Sequence, residues 1–486
     1  MSVLAKIADK TVAIFSPARA AKRQRYRKML DSVNATAYDA TGKGPQLRNW
    51  LSQRGSANRL NQWTFEEIRD RARDLVRNNP YAARIVSFYA SQIIGDGVRP
   101  HFKEHREFDE LVDRFCKNPD VGADGNQTLL SQQSLAEKER TTAGSVFIVR
   151  EWLSRREWKN STLELPFQTR LLESEFLDTR KDGQTADGNY IIRGIEVDDR
   201  SRPVAYHFYK HHPDGVHLQT LESERVLARD VIHLHDQKRP GEVISVSELT
   251  PVMTALRNFK QMMDTELIRQ KVAASFMAFV HSADSDADFQ QEYGKLSPAR
   301  IQKLAPGEDV TLASPPDRFN LEQLIRVYLR QIATGVDMTY EQLAADFSQV
   351  NFTSGRMGNI EWERKKERVR EHVWRAIYCT KMSRWLIDAS AFAGILDDVG
   401  KASWSFPARR MIDPEKEIKA KQKAIRNGIS TLRREVEKEG LDFEQTMQEA
   451  ADDFETIDDL GLIFDADPRK TTQNGQHQQM VTREEQ

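Results

Sequence analysis

Cysteine is almost missing from this chain: Cys116 and Cys379 are the only two in 486 residues. That excludes a disulfide framework as the basis of the fold and points to a reducing compartment. Long apolar runs are missing too. No stretch approaches the roughly 18 residues a membrane-spanning helix needs, and the N-terminus has neither the apolar core nor the small-residue cleavage site of a secretory signal. No G-x-x-x-x-G-K-[ST] is present to cradle a nucleotide's phosphates, and Gly42-Lys43-Gly44 is a loop fragment without that spacing. An ATP-driven motor is therefore not expected. Nor is there a G-x-S-x-G nucleophile turn, a signature around either cysteine, or a repeat of solenoid period. Net charge is the last scarcity, since 72 Lys and Arg against 73 Asp and Glu leave −1.

That sum conceals a segregation. Residues 18–28 hold six bases (Arg19, Lys22, Arg23, Arg25, Arg27, Lys28) and no acid. Residues 364–384 hold eight bases against two acids, and 401–434 ten against three. Leu441 to Pro468 then carries ten acids and no base. For nucleic acid the distribution says more than the sum. The basic segments suit phosphate, or the acidic segment of a neighbouring subunit, about equally.

At this length two to four domains with a substantial core are expected. Thr64 and Glu67 match a capping box that opens a helix running to Asn78. Asn79-Pro80 resets the backbone, Tyr81–Ile94 is a second helix, and Glu104–Cys116 a third with Phe108, Leu111, Val112 and Phe115 on one face. From Ser145 the period changes. Ser145–Trp152, Leu163–Leu172, Tyr190–Val197, Pro203–Tyr209 and Glu224–Leu234 read as strands, with Asp198–Ser201 as a hairpin turn. Ser247 to about His281, Leu321–Thr334, Gly358–Ala391, Pro414–Gly440 and Phe443–Phe454 read as helix. The pattern is helices, a central strand block, then helices again: an α+β chain.

Candidate chemistry is thin. Six of eleven histidines (His207, His211, His212, His217, His233, His235) fall in the strand block, and His233 and His235 share a strand face at a spacing metal sites use. No third ligand is fixed, so partly buried structural histidines are the expectation. Asp284-Ser285-Asp286-Ala287-Asp288 starts like a calcium loop, but Phe289 stands where glycine is needed and Lys295 where glutamate is needed. No catalytic constellation, metal site or cofactor site emerges.

Ala344–Glu363, AADFSQVNFTSGRMGNIEWE, joins a Ser/Asn/Gly-rich stretch directly to a charged helical pattern. Arg71–Pro100 reads RARDLVRNNPYAARIVSFYASQIIGDGVRP, and Leu171–Thr179 reads LLESEFLDT. Gly194–Val197 (GIEV), Arg202–Phe208 (RPVAYHF) and Val231–Leu234 (VIHL) follow. In wording and order, across roughly residues 45–410, these segments resemble the lambda-type bacteriophage portal proteins. Portals are ring-shaped channels at one capsid vertex through which double-stranded DNA is packaged and ejected.

The resemblance implies a mainly helical α+β portal fold of wing, stem and crown with a central β-rich clip insertion. On this chain it implies a flexible basic arm at 1–60, the first part of the wing and the outgoing stem at 61–160, and the clip at 161–235. The returning stem helix falls at 236–281. The second part of the wing, with channel loop 335–358 and the long helix, covers 282–411, a helical crown 412–465 and a disordered tail 466–486. It implies a homo-oligomeric ring, typically a dodecamer, holding double-stranded DNA without reading its sequence. Terminase and then head–tail connector proteins dock on the clip, and capsid and scaffold proteins on the wing. It implies no membrane, no cofactor, no metal and no catalysis, with assembly in the host cytoplasm and residence in the virion at a capsid vertex.

A DNA channel must not hold its cargo, and a lumen dense in Lys and Arg would. Residues 344–355 carry one acid, Asp346, and no base before Arg356. Ser348, Gln349, Asn351, Thr353 and Ser354 can touch phosphates without sequence information, and Gly355 and Gly358 would let a loop change shape. From spacing alone this is an ordinary polar connection between helices; the resemblance makes it the DNA-facing loop. Arg356 and Lys365 are the expected DNA-proximal cations. Arg364, Lys365, Lys366, Arg368 and Arg370 together admit three readings: facing DNA, pairing with a neighbouring subunit, or forming a solvated face. Two rival functions stand beside the portal: a metal-dependent nucleic-acid-processing enzyme using the strand histidines, and another structural virion protein such as a shell or adaptor subunit.

Overall fold

Three helices open the described part of the chain, and their boundaries follow local chemistry. The computed structural model describes residues 54–62, 64–214, 222–274, 278–282, 308–312, 321–348, 352–396, 400–408, 413–441 and 443–462. Met1–Ser56 and Ala57–Gln486 divide into two units, and every named element belongs to the second. After the short α1 (Ala57–Asn61), α2 (Phe65–Asn78) starts without the expected capping box. Thr64 donates its hydroxyl back to the Leu60 carbonyl instead, at 3.0 Å. Asn79 caps α3 (Pro80–Ile93), accepting from the amides of Tyr81 (3.0 Å) and Ala82 (3.3 Å). Strand β1 (Arg99–His101) and α4 (Arg106–Lys117) follow.

Helix α5 (Leu129–Ala143) is capped by Thr128 and closed by Gly144 at φ 87°. There a Cβ would lie 2.2 Å from the Ser245 carbonyl oxygen, so both the left-handed backbone and the close approach require glycine. Next comes β2 (Ser145–Trp152), the pivot of the fold. After α6 (Arg155–Lys159), β3 (Phe167–Leu172) pairs antiparallel with one edge of β2. A five-stranded antiparallel meander follows: β4 (Gly183–Gln184), β5 (Tyr190–Ile192), β6 (Ile195–Val197), β7 (Pro203–Tyr209) and β8 (Ser223–Leu227). Then β9 (Val231–His235) returns to the other edge of β2, giving the order β3–β2–β9.

The two-residue period of β2 sorts its side chains to two sides. Val146 and Ile148 join the main helical core, while Phe147 and Val149 join a second cluster with Leu172, Ile195, Tyr206 and Phe208. The stretch 161–235 expected to form the clip shares a sheet with β2. Its first and last strands flank β2, which lies outside it, and Phe167, Ile232 and Leu234 are part of the main core.

The chain leaves the core further on. Helix α7 (Met253–Ala274) buries Leu256 and Phe259 near its start, then exposes Met263, Leu267 and Ile268. A ribbon of β10 (Ala278–Ser282) and β11 (Glu308–Leu312) follows, where helix was expected as far as His281. Helix α8 (Leu321–Gly335) returns, exposing Val327 early and burying Leu329, Ile332 and Ala333 late. The calcium-like stretch Asp284–Lys295, the basic cluster 18–28 and the tail 466–486 lie outside the described residues, as does most of the arm 1–60.

After the short α9 (Tyr340–Ala344), one continuous helical rod runs from Phe352 to Ala393. It consists of α10 (Phe352–Val369), a π-helical stretch (Arg370–Cys379) and α11 (Thr380–Ala393). β12 (Ser403–Ser405) pairs with β1. Three further helices, α12 (Pro414–Arg426), α13 (Leu432–Lys438) and α14 (Phe443–Asp459), end the described chain. Among the described residues no helix is long and apolar enough to cross a membrane.

Candidate functional site

The polar segment 345–358 is held at both ends. On its N-terminal side, α9 has a full capping box: Thr339 Oγ1 accepts from the Gln342 amide (3.3 Å), and the Gln342 side chain accepts from the Thr339 amide (3.0 Å). The Gln342 side-chain amide also donates to Asn359 Oδ1 at 3.3 Å, and Arg84 donates to the Gln342 carbonyl. These bonds tie α9 to α10 and α3. Ala345 then turns the chain at φ 54°, a left-handed conformation that costs a non-glycine residue about 1–2 kcal/mol.

Asp346, the one acid of 344–355, is engaged locally. Its carboxylate accepts from the Ser348 amide (3.1 Å) and hydroxyl (2.6 Å), and from the Tyr340 hydroxyl (3.1 Å). The Ser348 bonds, with Tyr340 adding, hold its carboxyl below the usual aspartate range. Ser348 is thus exposed but turned onto Asp346, and Phe347 beside it is 63 % exposed.

Gln349 and Asn351 lie outside the described residues. Thr353, Ser354 and Arg356 sit in the first turns of α10, not in a loop. Gly355 and Gly358 are helical as well, which corrects the expectation of a pliable segment up to 358. Gly358 serves packing: a Cβ there would lie 2.7 Å from Thr339 Cγ2, so the missing side chain lets α9 press against α10.

Lys365 was expected near DNA, and the structure turns it inward. Its ammonium donates to the Tyr89 hydroxyl (2.6 Å), Asp337 Oδ2 (2.9 Å) and the Val336 carbonyl (3.3 Å), and lies 4.8 Å from the Tyr89 ring centre. Burial lowers its pKa despite Glu248 and Asp337. A sequence signal for this existed: Lys365 stands three residues after Trp362 and four before Val369, both buried, so it shares their inward stripe.

The other cations of this helix are also engaged within the subunit. Arg368 forks onto both oxygens of Asp236 at 3.1 and 2.9 Å. Lys366, nearly buried, pairs with Glu363 at 2.6 Å. Arg370 donates to the carbonyls of Ile93, Gln92 and Pro407. Arg364 alone of the five projects outward, 3.6 Å from Glu361. Arg364 fits the solvated-face reading, whereas Lys365, Lys366, Arg368 and Arg370 tie the helix to its own subunit.

Farther along, the rod is anchored by a buried ionic network that sequence reasoning missed. Arg140 forks onto Glu137 (2.7 and 3.0 Å) and reaches Glu248 (3.0 Å), while Trp374 donates its indole N–H to Glu137 at 2.8 Å. Burial opposes ionisation of Glu248, but Arg140, Lys238 and Lys365 hold it down to about 2. Arg150 then links β2 to Asp230 and to Asp388 of α11.

The strand histidines are structural in placement. His233 and His235 stack at 4.1 Å, with Phe147 4.4 Å from His233. Burial drives both imidazoles toward neutrality, His235 to about 4. Among the described residues, the one grouping with three ligand atoms close together is Glu173, Glu175 and His212, and Arg73 already pairs there with Glu175. Burial pushes the thiols of Cys116 and Cys379 up to about 12.

Residues 43–370 match the family described as phage portal protein, lambda family. The chain is similar to the portal protein of Escherichia phage N15, 24 % identical over 470 residues, covering 83 % of this chain and 87 % of that protein. It is similar to portal protein B of Escherichia phage lambda, 22 % identical over 480 residues, covering 83 % and 86 %. Among solved structures it resembles a chain from the neck of an empty gene transfer agent particle, with TM-score 0.47 and 13 % identity, covering 82 % of this chain and 98 % of that one.

Proposed function

The chain belongs to the lambda family of phage portal proteins, and from that premise we propose how its residues divide the work of a DNA channel. A portal is a structural protein of the virion, through which the genome is packaged and ejected. The reading adds a ring of twelve copies, formed in the host cytoplasm, with duplex DNA in its lumen. Terminase and later head–tail connectors dock at its outer end, and capsid and scaffold proteins at its wing.

Segment 345–358 faces the lumen, with Ser348, Gln349, Asn351, Thr353, Ser354 and Arg356 nearest DNA. The observation that carries this is the contrast between the segment and the helix behind it. The segment is polar, nearly uncharged and leads from α9 into the first turns of α10, whereas Lys365, Lys366, Arg368 and Arg370 are consumed by contacts inside the subunit. A lumen so built contacts phosphate by neutral groups and releases few counterions, so DNA slides instead of sticking. Lys365 belongs to the support and not to the lumen. The docking end is the excursion of α7, the β10–β11 ribbon and α8, since both helices lose their core contacts toward it.

The test is electron microscopy and mass measurement on the purified protein, followed by packaging with Arg356→Ala. Rings with a central hole and a mass near twelve times 55.9 kDa are expected. The variant should assemble normally yet change packaged DNA length or its retention. Unaltered length and leakage would remove Arg356 from the lumen.

A further inference from the structure

The last three helices do not bury a core of their own. Among the described residues, no apolar side chain beyond Phe406 is buried. Ile418, Ile429, Leu432 and Leu460 are 50–76 % exposed, and the inner side of α14 (Phe443, Met447, Phe454, Ile457) is only half-buried. Such a surface, on a helical segment of nearly fifty residues, calls for a cover. Charge identifies it.

On α12, Lys416, Lys419, Lys423 and Arg426 recur at i, i+3, i+7 and i+10, one exposed stripe about 15 Å long. Lys416 pairs with Asp413 and Lys419 with Glu415, each close by on the same segment, and pairs open to solvent hold only weakly. On α14, Gln448, Asp452, Glu455 and Asp459 recur at i, i+4, i+7 and i+11, an exposed stripe of similar length in which three of the four are acids. Within the subunit Lys103 and Arg433 both pair with Glu444, which begins the same face four residues before Gln448, and the Arg433 guanidinium lies 4.4 Å from the Phe443 ring centre; Asp452, Glu455 and Asp459 lie two or more turns further along.

We infer that the basic stripe of α12 in one copy seats against the acidic stripe of α14 in the next copy, and that this contact covers the exposed leucines and isoleucines. Two different patches on one chain, complementary in sign and length, make a heterologous interface, the kind that closes into a ring. The inference rests on the ring reading above. It gives the acidic segment a partner in the neighbouring subunit. The two stripes also set the register of one copy on the next.

Charge reversal tests this. Lys423→Glu with Arg426→Glu, Asp452→Lys with Glu455→Lys, and all four changes together are compared with wild type by electron microscopy and sedimentation at low salt. These positions are exposed, and circular dichroism melts confirm that each variant is folded. Either reversal alone should raise the protein concentration needed for half-assembly by about tenfold or more, since like charges then face each other. The fourfold variant should return it toward wild type. Added salt should weaken wild-type assembly, as screened exposed pairs require. Wild-type rings indifferent to either reversal, or a fourfold variant no better than the single reversals, overturn the inference alone. A wild-type protein that never forms rings overturns the ring reading and this inference with it. If Lys423→Glu with Arg426→Glu instead lowers duplex-DNA affinity while assembly is unchanged, the stripe meets nucleic acid and the inference fails.

Discussion

Arg140→Met asks how much the buried ionic network holds the long helical rod in place. Arg140 and Glu137 are 1 % and 0 % exposed, and the guanidinium makes three charge-assisted hydrogen bonds to Glu137 and Glu248. Methionine fills much of the same volume, so the loss is chiefly electrostatic: two buried carboxylates lose their cation. Removing one partner of a buried pair costs about 3–5 kcal/mol. Glu137 keeps Trp374 and Thr141, and Glu248 keeps Lys238, which favours the lower end, about 3 kcal/mol. Urea unfolding followed by circular dichroism at pH 7.5, roughly neutral, reads this out. The triple variant Arg140→Met, Glu137→Gln, Glu248→Gln removes the stranded charges and should recover most of the loss. Acid should narrow the gap between Arg140→Met and wild type. Protonation relieves the variant's buried charge, whereas wild type loses the contribution of Glu248 as pH falls from its ordinary 4.5 to about 2. A single variant within about 0.5 kcal/mol of wild type, or a triple variant no better than the single, refutes the reasoning.

Two further perturbations probe the sheet and the contact of α9 with α10. His235 is pushed by burial from 6.5 to about 4, so the unfolded chain binds more protons than the folded one between those values. Stability is therefore complete above the unfolded value and falls as pH drops toward 4, by roughly 3 kcal/mol; His235→Gln should flatten that slope in melting curves taken from pH 7 to 4, and an unchanged slope assigns it elsewhere. Gly358→Ala should destabilise by about 1 kcal/mol, the steric cost against Thr339 exceeding the gain in helix propensity. Thr339→Ser deletes the offending methyl but keeps the capping hydroxyl, so the double variant should be more stable than Gly358→Ala; strict additivity in the cycle would sink the argument.

What was legible in the sequence was local. Strands 145–152 and 203–209, rich in Val, Ile, Phe and Tyr, and the helical stripe of Trp362, Val369 and Val373 carry their own signal, and each became the expected element. The start of the rod was not legible, because Thr353, Ser354, Gly355 and Gly358 are poor helix formers and tertiary contact with α9 overrides their propensity. Pairing of β3 and β9 with β2 is non-local, so the strand block was readable while its union with the helical core was not. Lys365 shows the limit most plainly: its partner Tyr89 is 276 residues away, and composition alone makes any exposed-looking lysine a DNA candidate.

The wide turns at Arg370–Cys379 bear on how this chain tolerates change in length. Buried residues there come in neighbouring pairs, 369–370, 373–374 and 378–379, spaced by four and then five, where an α-helix would drift out of phase by about 100° for each extra residue. A π turn is an α turn with one residue added. The rod therefore stores slack in its middle, between an end fastened to α9 by Gly358 and an end fastened to β2 by Arg150. A single-residue deletion within 370–379 can be absorbed by tightening one turn to α geometry. The same deletion in α10 or α11 would rotate one fastened end away from its seat.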